Sequence, residues 1–233
     1  MEKKIKSAHI EIKNGKLNNA LKILNEIISE DRKNCDVYLL RGKVKREIGD
    51  LRGSLEDFNS AVSLNPDRAE VYSNRSKLFY FLCCFEKALQ DMNKANELNP
   101  DCALTLFNKG SMECKLHLYK DALESFNCVI RLEPSFPHAY LKRGLVKEKI
   151  GDYNGAFCDF TYLIKLKKNC ANAYFYRGKL LISQLKDKIN GKKDLINAFN
   201  LGINKAEMQN NIINNFPKLN ILENSKVSRN ANM

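Results

Sequence analysis

The sequence predicts an all-α chain, a solenoid of six stacked helix-turn-helix repeats, on three observations. The 233 residues lie on themselves when shifted by 34, without a gap through most of their length. Within each period, two runs of apolar residues recur at helical spacing with a turn between them. Small residues return at two fixed places, as two helices in close contact require.

The repeats run 1–34, 35–68, 69–102, 103–136, 137–170 and 171–205. Their eighth place holds Ala8, Gly42, Ser76, Gly110, Gly144 and Gly178. Their twentieth holds Ala20, Ser54, Ala88, Ala122 and Ala156, and Gly191 once a one-residue insertion is allowed in the sixth repeat. Place 24 is bulky (Leu24, Phe58, Met92, Phe126, Phe160, Leu195) and fills the gap left between the two helices. The turn between helices reads Gly49-Asp50 in the second repeat and Gly151-Asp152 in the fifth, and Cys83-Cys84 stands there in the third. Pro66, Pro100 and Pro134 stop the second helix, where a missing N–H breaks the ladder; the first and fifth repeats carry Arg32 and Lys168 instead. One hairpin cannot bury its apolar face, so stability must come from stacking on neighbours. After the sixth repeat, Met208, Ile212, Ile213 and Phe216 share a helical face ahead of Pro217, which predicts a capping helix over 206–216. Residues 217–233 read as a polar, disordered tail.

Composition bounds the function. With 44% hydrophobic and 28% charged residues the chain suits a globular protein. Its longest apolar stretch, Leu78 to Phe85, is far short of the roughly 20 residues of a membrane helix, so no membrane span is expected. The charged N-terminus lacks the apolar core of a secretory signal, and a cytoplasmic location is expected. The 8 cysteines form no C-x-x-C pair, and the 3 histidines lie far apart, so no zinc or other metal site is expected. The cysteines are expected to be reduced, small buried hydrophobes. Net charge is +12, unevenly spread: residues 1–160 hold 26 basic and 23 acidic side chains, residues 161–233 hold 13 and 4. The basic C-terminal third makes nucleic acid the second class of partner to weigh.

The stretches Tyr38-Leu39-Leu40-Arg41-Gly42, Tyr72-Ser73-Asn74-Arg75-Ser76, Tyr140-Leu141-Lys142-Arg143-Gly144 and Tyr174-Phe175-Tyr176-Arg177-Gly178 share one pattern. Together with Asp57-Phe58, Asp159-Phe160 and the Leu-Asn-Pro ends at 64–66 and 98–100, they resemble the tetratricopeptide repeat family. The resemblance covers residues 1–205 and implies a right-handed α-solenoid whose first helices line an inner, peptide-binding wall. The chain departs from the family in having no Trp, and in placing Arg or Lys before the small residue where Leu is usual.

Those basic residues, Arg41, Arg75, Lys109, Arg143 and Arg177, form a ladder that could be mistaken for an anion-binding stripe. Place 23 reads Asp57, Asp91, Ser125, Asp159 and Asp194, so an acid stands wherever Arg does and vanishes beside Lys109. Arg–Asp pairing between the two helices of a repeat is therefore expected.

No Gly-rich phosphate loop, nucleophile elbow or paired-carboxylate motif is present, and His9, His117 and His138 lie in different repeats. The expected function is a non-enzymatic protein–protein interaction module or scaffold, without cofactor, binding an acidic and hydrophobic peptide segment. A nucleic-acid-associated adaptor is the alternative, and co-chaperone-like binding of a chaperone C-terminus a minor one. Helix geometry puts places 2, 5, 6, 9 and 13 on one stripe, which the resemblance implies is the inner wall: Leu39, Leu40, Lys43, Asn74, Lys77, Phe81, Leu104, Phe107, Asn108, His138, Leu141, Lys142, Phe175, Tyr176 and Lys179. Within it, Lys77, Tyr80, Phe81, Leu104, Phe107, Asn108, His138 and Lys142 are the candidate peptide site, with Tyr80 and Phe81 expected beside Leu104 and Phe107. The carboxylate clamp that the resemblance brings into view is incomplete. Started at the second repeat it gives Leu39, Lys43, Asn74, Leu104 and Asn108; started at the third, Ser73, Lys77, Asn108, His138 and Lys142.

Overall fold

A computed structural model describes residues 1–203; the expected capping helix over 206–216 and the tail over 217–233 lie outside the described residues. Twelve helices and no strand occur among those residues. They are α1 (Glu2–Lys13), α2 (Leu17–Glu30), α3 (Cys35–Glu47), α4 (Leu51–Leu64), α5 (Ala69–Phe81), α6 (Phe85–Leu98), α7 (Ala103–Lys115), α8 (Tyr119–Leu132), α9 (Pro137–Lys149), α10 (Tyr153–Leu166), α11 (Ala171–Ser183) and α12 (Lys188–Asn200). The chain forms two compact units, one ending at His117 and one starting at Leu118. In the first, α1 to α7 pack in chain order, and α3 also touches α5; in the second, α8 to α12 do so, and α9 touches α11.

The turns show why hairpins form. Gly15, Gly49 and Gly151 take φ of 73°, 88° and 85°, a left-handed conformation without cost for glycine. Cys83, His117 and Lys186 occupy the corresponding turns at φ 57°, 60° and 56°, where a Cβ is crowded. Immediately after the glycine, Asp50 and Asp152 cap α4 and α10, each Oδ1 accepting from the amide of Gly53 or Gly155 at 2.9 Å.

Close helix contact follows from the small residues. A Cβ on Gly42 would stand 2.7 Å from the Phe58 ring, and one on Gly144 2.6 Å from Phe160. In the third hairpin, where place eight is Ser76, the facing residue is the more pliable Met92. Ser54 Oγ donates to the Gly42 carbonyl and Ser76 Oγ to the Ala88 carbonyl, both at 2.7 Å, so the same two places are bridged from opposite sides. Leu24, Phe58, Met92, Phe126, Phe160 and Leu195 are all fully buried, each worth about 1.5–3 kcal/mol of transfer free energy.

The expected Arg–Asp pairs form in four repeats. Arg41 donates to both oxygens of Asp57 (2.9 and 2.6 Å), Arg75 to Asp91 (2.8 and 2.8 Å), Arg143 to Asp159 (2.9 and 2.5 Å) and Arg177 to Asp194 (2.7 and 2.9 Å). The guanidinium has one further nitrogen, and it reaches back to the preceding repeat. Nη1 of Arg41, Arg75 and Arg143 donates to Asn25, Asn59 and Asn127 at 2.8 Å, and that of Arg177 to Thr161 at 3.2 Å. Each Arg also lies over its repeat's Tyr, at 5.5–5.8 Å. In the fourth repeat, Lys109 instead pairs within α7 with Glu113, at 3.7 Å.

The cysteines correct an expectation. Cys83 and Cys158 are exposed and the other six only partly buried, all as free thiols. Cys35, Cys102 and Cys170 sit where first helices begin and Cys83 and Cys84 in a turn, places packed on one side only.

Candidate functional site

The wall places of the first helices line an open cleft of about 260 Å³ in the first unit. It lies between Ile5 and His9 of α1 and Leu40 and Lys43 of α3, with Arg68 and Glu70 at the start of α5. Arg68 pairs with Asp36 and, at 2.8 Å, with Glu70, whose other oxygen accepts from Lys43 at 2.6 Å. Burial works against the Glu70 carboxylate, yet hydrogen bonds from Lys43 and Arg68 hold its pKa below the usual range. The sequence reading missed Ile5, His9, Asp36, Arg68 and Glu70 as lining residues. Places 2, 5 and 9 point to Ile5, His9, Asp36 and Glu70 once the rule is extended back to the first repeat.

Of the eight candidate residues, six lie on α5 and α7 in the first unit, and His138 and Lys142 lie on α9 in the second. Phe81 is 67% and Leu104 53% exposed. Phe107 and Asn108 are partly buried, and Lys77, His138 and Lys142 are exposed. The His138 ring meets Phe136 edge-on at 6.3 Å. Tyr80 is partly buried, edge-on to Phe85 at 5.4 Å, with the Lys115 ammonium 6.0 Å from its ring centroid. Although its side chain reaches solvent, loss of hydration around the ammonium, then the positive charges of Arg46 and Lys43, push Lys77 below the ordinary lysine range.

Tyr80 therefore lies level with the C-terminal end of α7, not with its start. Leu104 and Phe107 occupy the first turns of that helix, roughly 12–17 Å back along it at 1.5 Å per residue. The expected placement of Tyr80 and Phe81 beside Leu104 and Phe107 is thus corrected: first helices run the same way, so equal places align rather than chain-adjacent ends. Among the wider wall residues, Leu39, Asn74 and Phe175 are buried and belong to the packing. Asn74 donates its amide to the Glu70 carbonyl at 2.8 Å.

Among the described residues, no three His, Cys, Asp or Glu side chains cluster as metal ligands, and no helix is long and apolar enough to cross a membrane.

The tetratricopeptide repeat model matches residues 36–68, the second hairpin. A search of curated proteins finds no match. Pseudomonas aeruginosa PilF shares the fold at TM-score 0.72 and 16% identity, over 97% of this chain and 96% of its own. A tetratricopeptide repeat protein from Parabacteroides merdae does so at 0.65 and 23%, over 90% and 96%. YrrB, described as a TPR protein with an unusual peptide-binding site, does so at 0.67 and 16%, over 77% and 92%. The fold is one whose stacked repeats serve as interaction scaffolds. The second hairpin thus matches the tetratricopeptide repeat model, and the all-α stacked fold is shared with these tetratricopeptide-repeat structures.

Proposed function

We propose that the chain is a non-enzymatic protein-interaction module, built of repeats 1–34, 35–68, 69–102, 103–136, 137–170 and 171–205, that binds an acidic and apolar peptide segment along its first helices. The observation that carries this reading is the exposure of Phe81 and Leu104, at 67% and 53%, on the helices that also present Lys77 and Asn108. Apolar side chains held open beside a cation suit a peptide alternating apolar and acidic residues. Because Leu104 and Phe81 stand about 16 Å apart along the helix direction, roughly five residues of extended chain would span them. Tyr80, against Phe85, stands at the far end of this surface, and Phe107 and Asn108 at the near end.

The test is a nuclease-treated pulldown with the intact chain, followed by the Phe81→Ser/Leu104→Ser variant. We expect a protein to be recovered by the wild type and lost, by more than about tenfold in affinity, from a variant with unchanged helicity and melting. Unchanged binding by that variant would sink the proposal, as would recovery of nucleic acid alone.

A further inference from the structure

Place 12 of one first helix and place nine of the next meet in the second unit, where Glu148 of α9 accepts from the Lys179 ammonium of α11 at 3.2 Å across a separation of 31 residues. In the first unit the same two places, again 31 residues apart, hold Arg46 of α3 and Lys77 of α5. An acid–base pair has become two cations. Lys43, one turn before Arg46, adds a third positive charge, and the acid nearest to it is already occupied. Both Glu70 oxygens are taken, by Lys43 and Arg68.

Two observations indicate a missing anion. Neither Arg46 nor Lys77 forms an ion pair among the described residues, although Glu148 and Lys179 show that these places are close enough for one. In addition, Arg46 Nη1 is buried without a hydrogen-bond acceptor, a rare state for a guanidinium nitrogen in a packed protein. The crowding also shows in Lys77, which is held below its usual range by loss of hydration and by Arg46 and Lys43.

We propose that Arg46 and Lys77 form a binding site for a carboxylate of the peptide partner, which supplies from outside the charge that Glu148 supplies from within. The inference rests on the reading of the chain as a peptide-binding module and adds to it the position of the acidic residue. Carboxylate is favoured because Lys179, the counterpart of Lys77 in the second unit, binds one, and because a guanidinium can grip its two oxygens together. Phe81 follows Lys77 by one helical turn and is open, so an apolar residue next to the bound acid would land on its ring. Lys77, at place nine, is also one of the clamp places tested above, whereas Arg46, at place 12, lies outside them.

The experiment is a selection of displayed random nonapeptides on the intact wild-type chain and on Arg46→Glu, which copies the Glu148–Lys179 arrangement and should fold with an undiminished melting temperature. We expect wild-type selections to favour Asp or Glu beside an aromatic or aliphatic residue. A synthetic peptide so selected should lose about tenfold or more in affinity on Arg46→Glu, and again when its acid is changed to the amide. Should Arg46→Glu melt early, Arg46→Met carries the same expectation. Selected peptides that bind the variants equally well would overturn this site while leaving peptide binding intact. Failure to select any peptide would overturn both readings. A short single-stranded oligonucleotide that binds in an Arg46-dependent manner would overturn the assignment to a peptide.

Discussion

The second and fifth hairpins are built on the same interior and face outward differently. Asp57 accepts from Arg41 and, at 3.0 Å, from Lys45; Asp159 accepts from Arg143 and, again at 3.0 Å, from Lys147. The small residue against phenylalanine is Gly42 on Phe58 in one and Gly144 on Phe160 in the other. One helical turn farther along the wall the likeness ends, with Arg46 facing Lys77 in one unit and Glu148 bound to Lys179 in the other. The interior is repeated because each side chain there must satisfy the one beside it, while a wall residue answers only to its neighbour or a ligand.

The largest test of this comparison lies in the interior. Asp57→Ala and Asp159→Ala each leave two cations facing a site with no carboxylate, and should cost about 3 kcal/mol apiece, as expected for breaking a nearly buried pair. Urea unfolding monitored in each unit would show it, and a strongly unequal pair of losses would break the claim that the two interiors are equivalent. A smaller effect concerns the turns. Cys83→Gly should stabilise the first unit by about 1 kcal/mol by relieving a left-handed residue, raising its urea midpoint; no rise would mean the third turn is not strained relative to the glycine turns. The smallest is Glu148→Arg, which gives the second unit the charge pattern of the first. It should cost about 0.5–1 kcal/mol, the scale of a partly exposed pair, and add a second acid-dependent site for the selected peptides. A variant that loses stability without gaining peptide binding would show that the charge pattern alone does not make the site.

Much of this was legible in the sequence because it is written six times. The 34-residue period located the hairpins, and the coincidence of Asp with Arg at places 23 and seven gave the four ion pairs. Missed was the third arm of each Arg, although Asn25, Asn59, Asn93 and Asn127 recur at place 25 as plainly as the Asp. That contact joins successive repeats, and a reading of each repeat in isolation cannot see it. The same blindness placed Phe81 beside Leu104, neighbours along the chain but at opposite ends of parallel helices. Burial of the cysteines was misjudged because residue type was weighed ahead of position in the hairpin. The Arg46 and Lys77 pairing needs both the period and a second copy with opposite charge for its meaning to appear.

The backward reach of each arginine gives the array a direction. The first, second and fourth hairpins lend an Asn, and the fifth Thr161, to the arginine that follows; the first has Ser7 and Ile23 where four later ones have Arg and Asp, so it holds no such grip of its own. Peeling from the N-terminus removes only an acceptor and leaves Arg41 still clasped by Asp57, whereas peeling at a later hairpin withdraws the clasp itself. Amide exchange under native conditions should accordingly find the leading hairpin opening first and most often, a loose end from which the rest of the first unit is shielded.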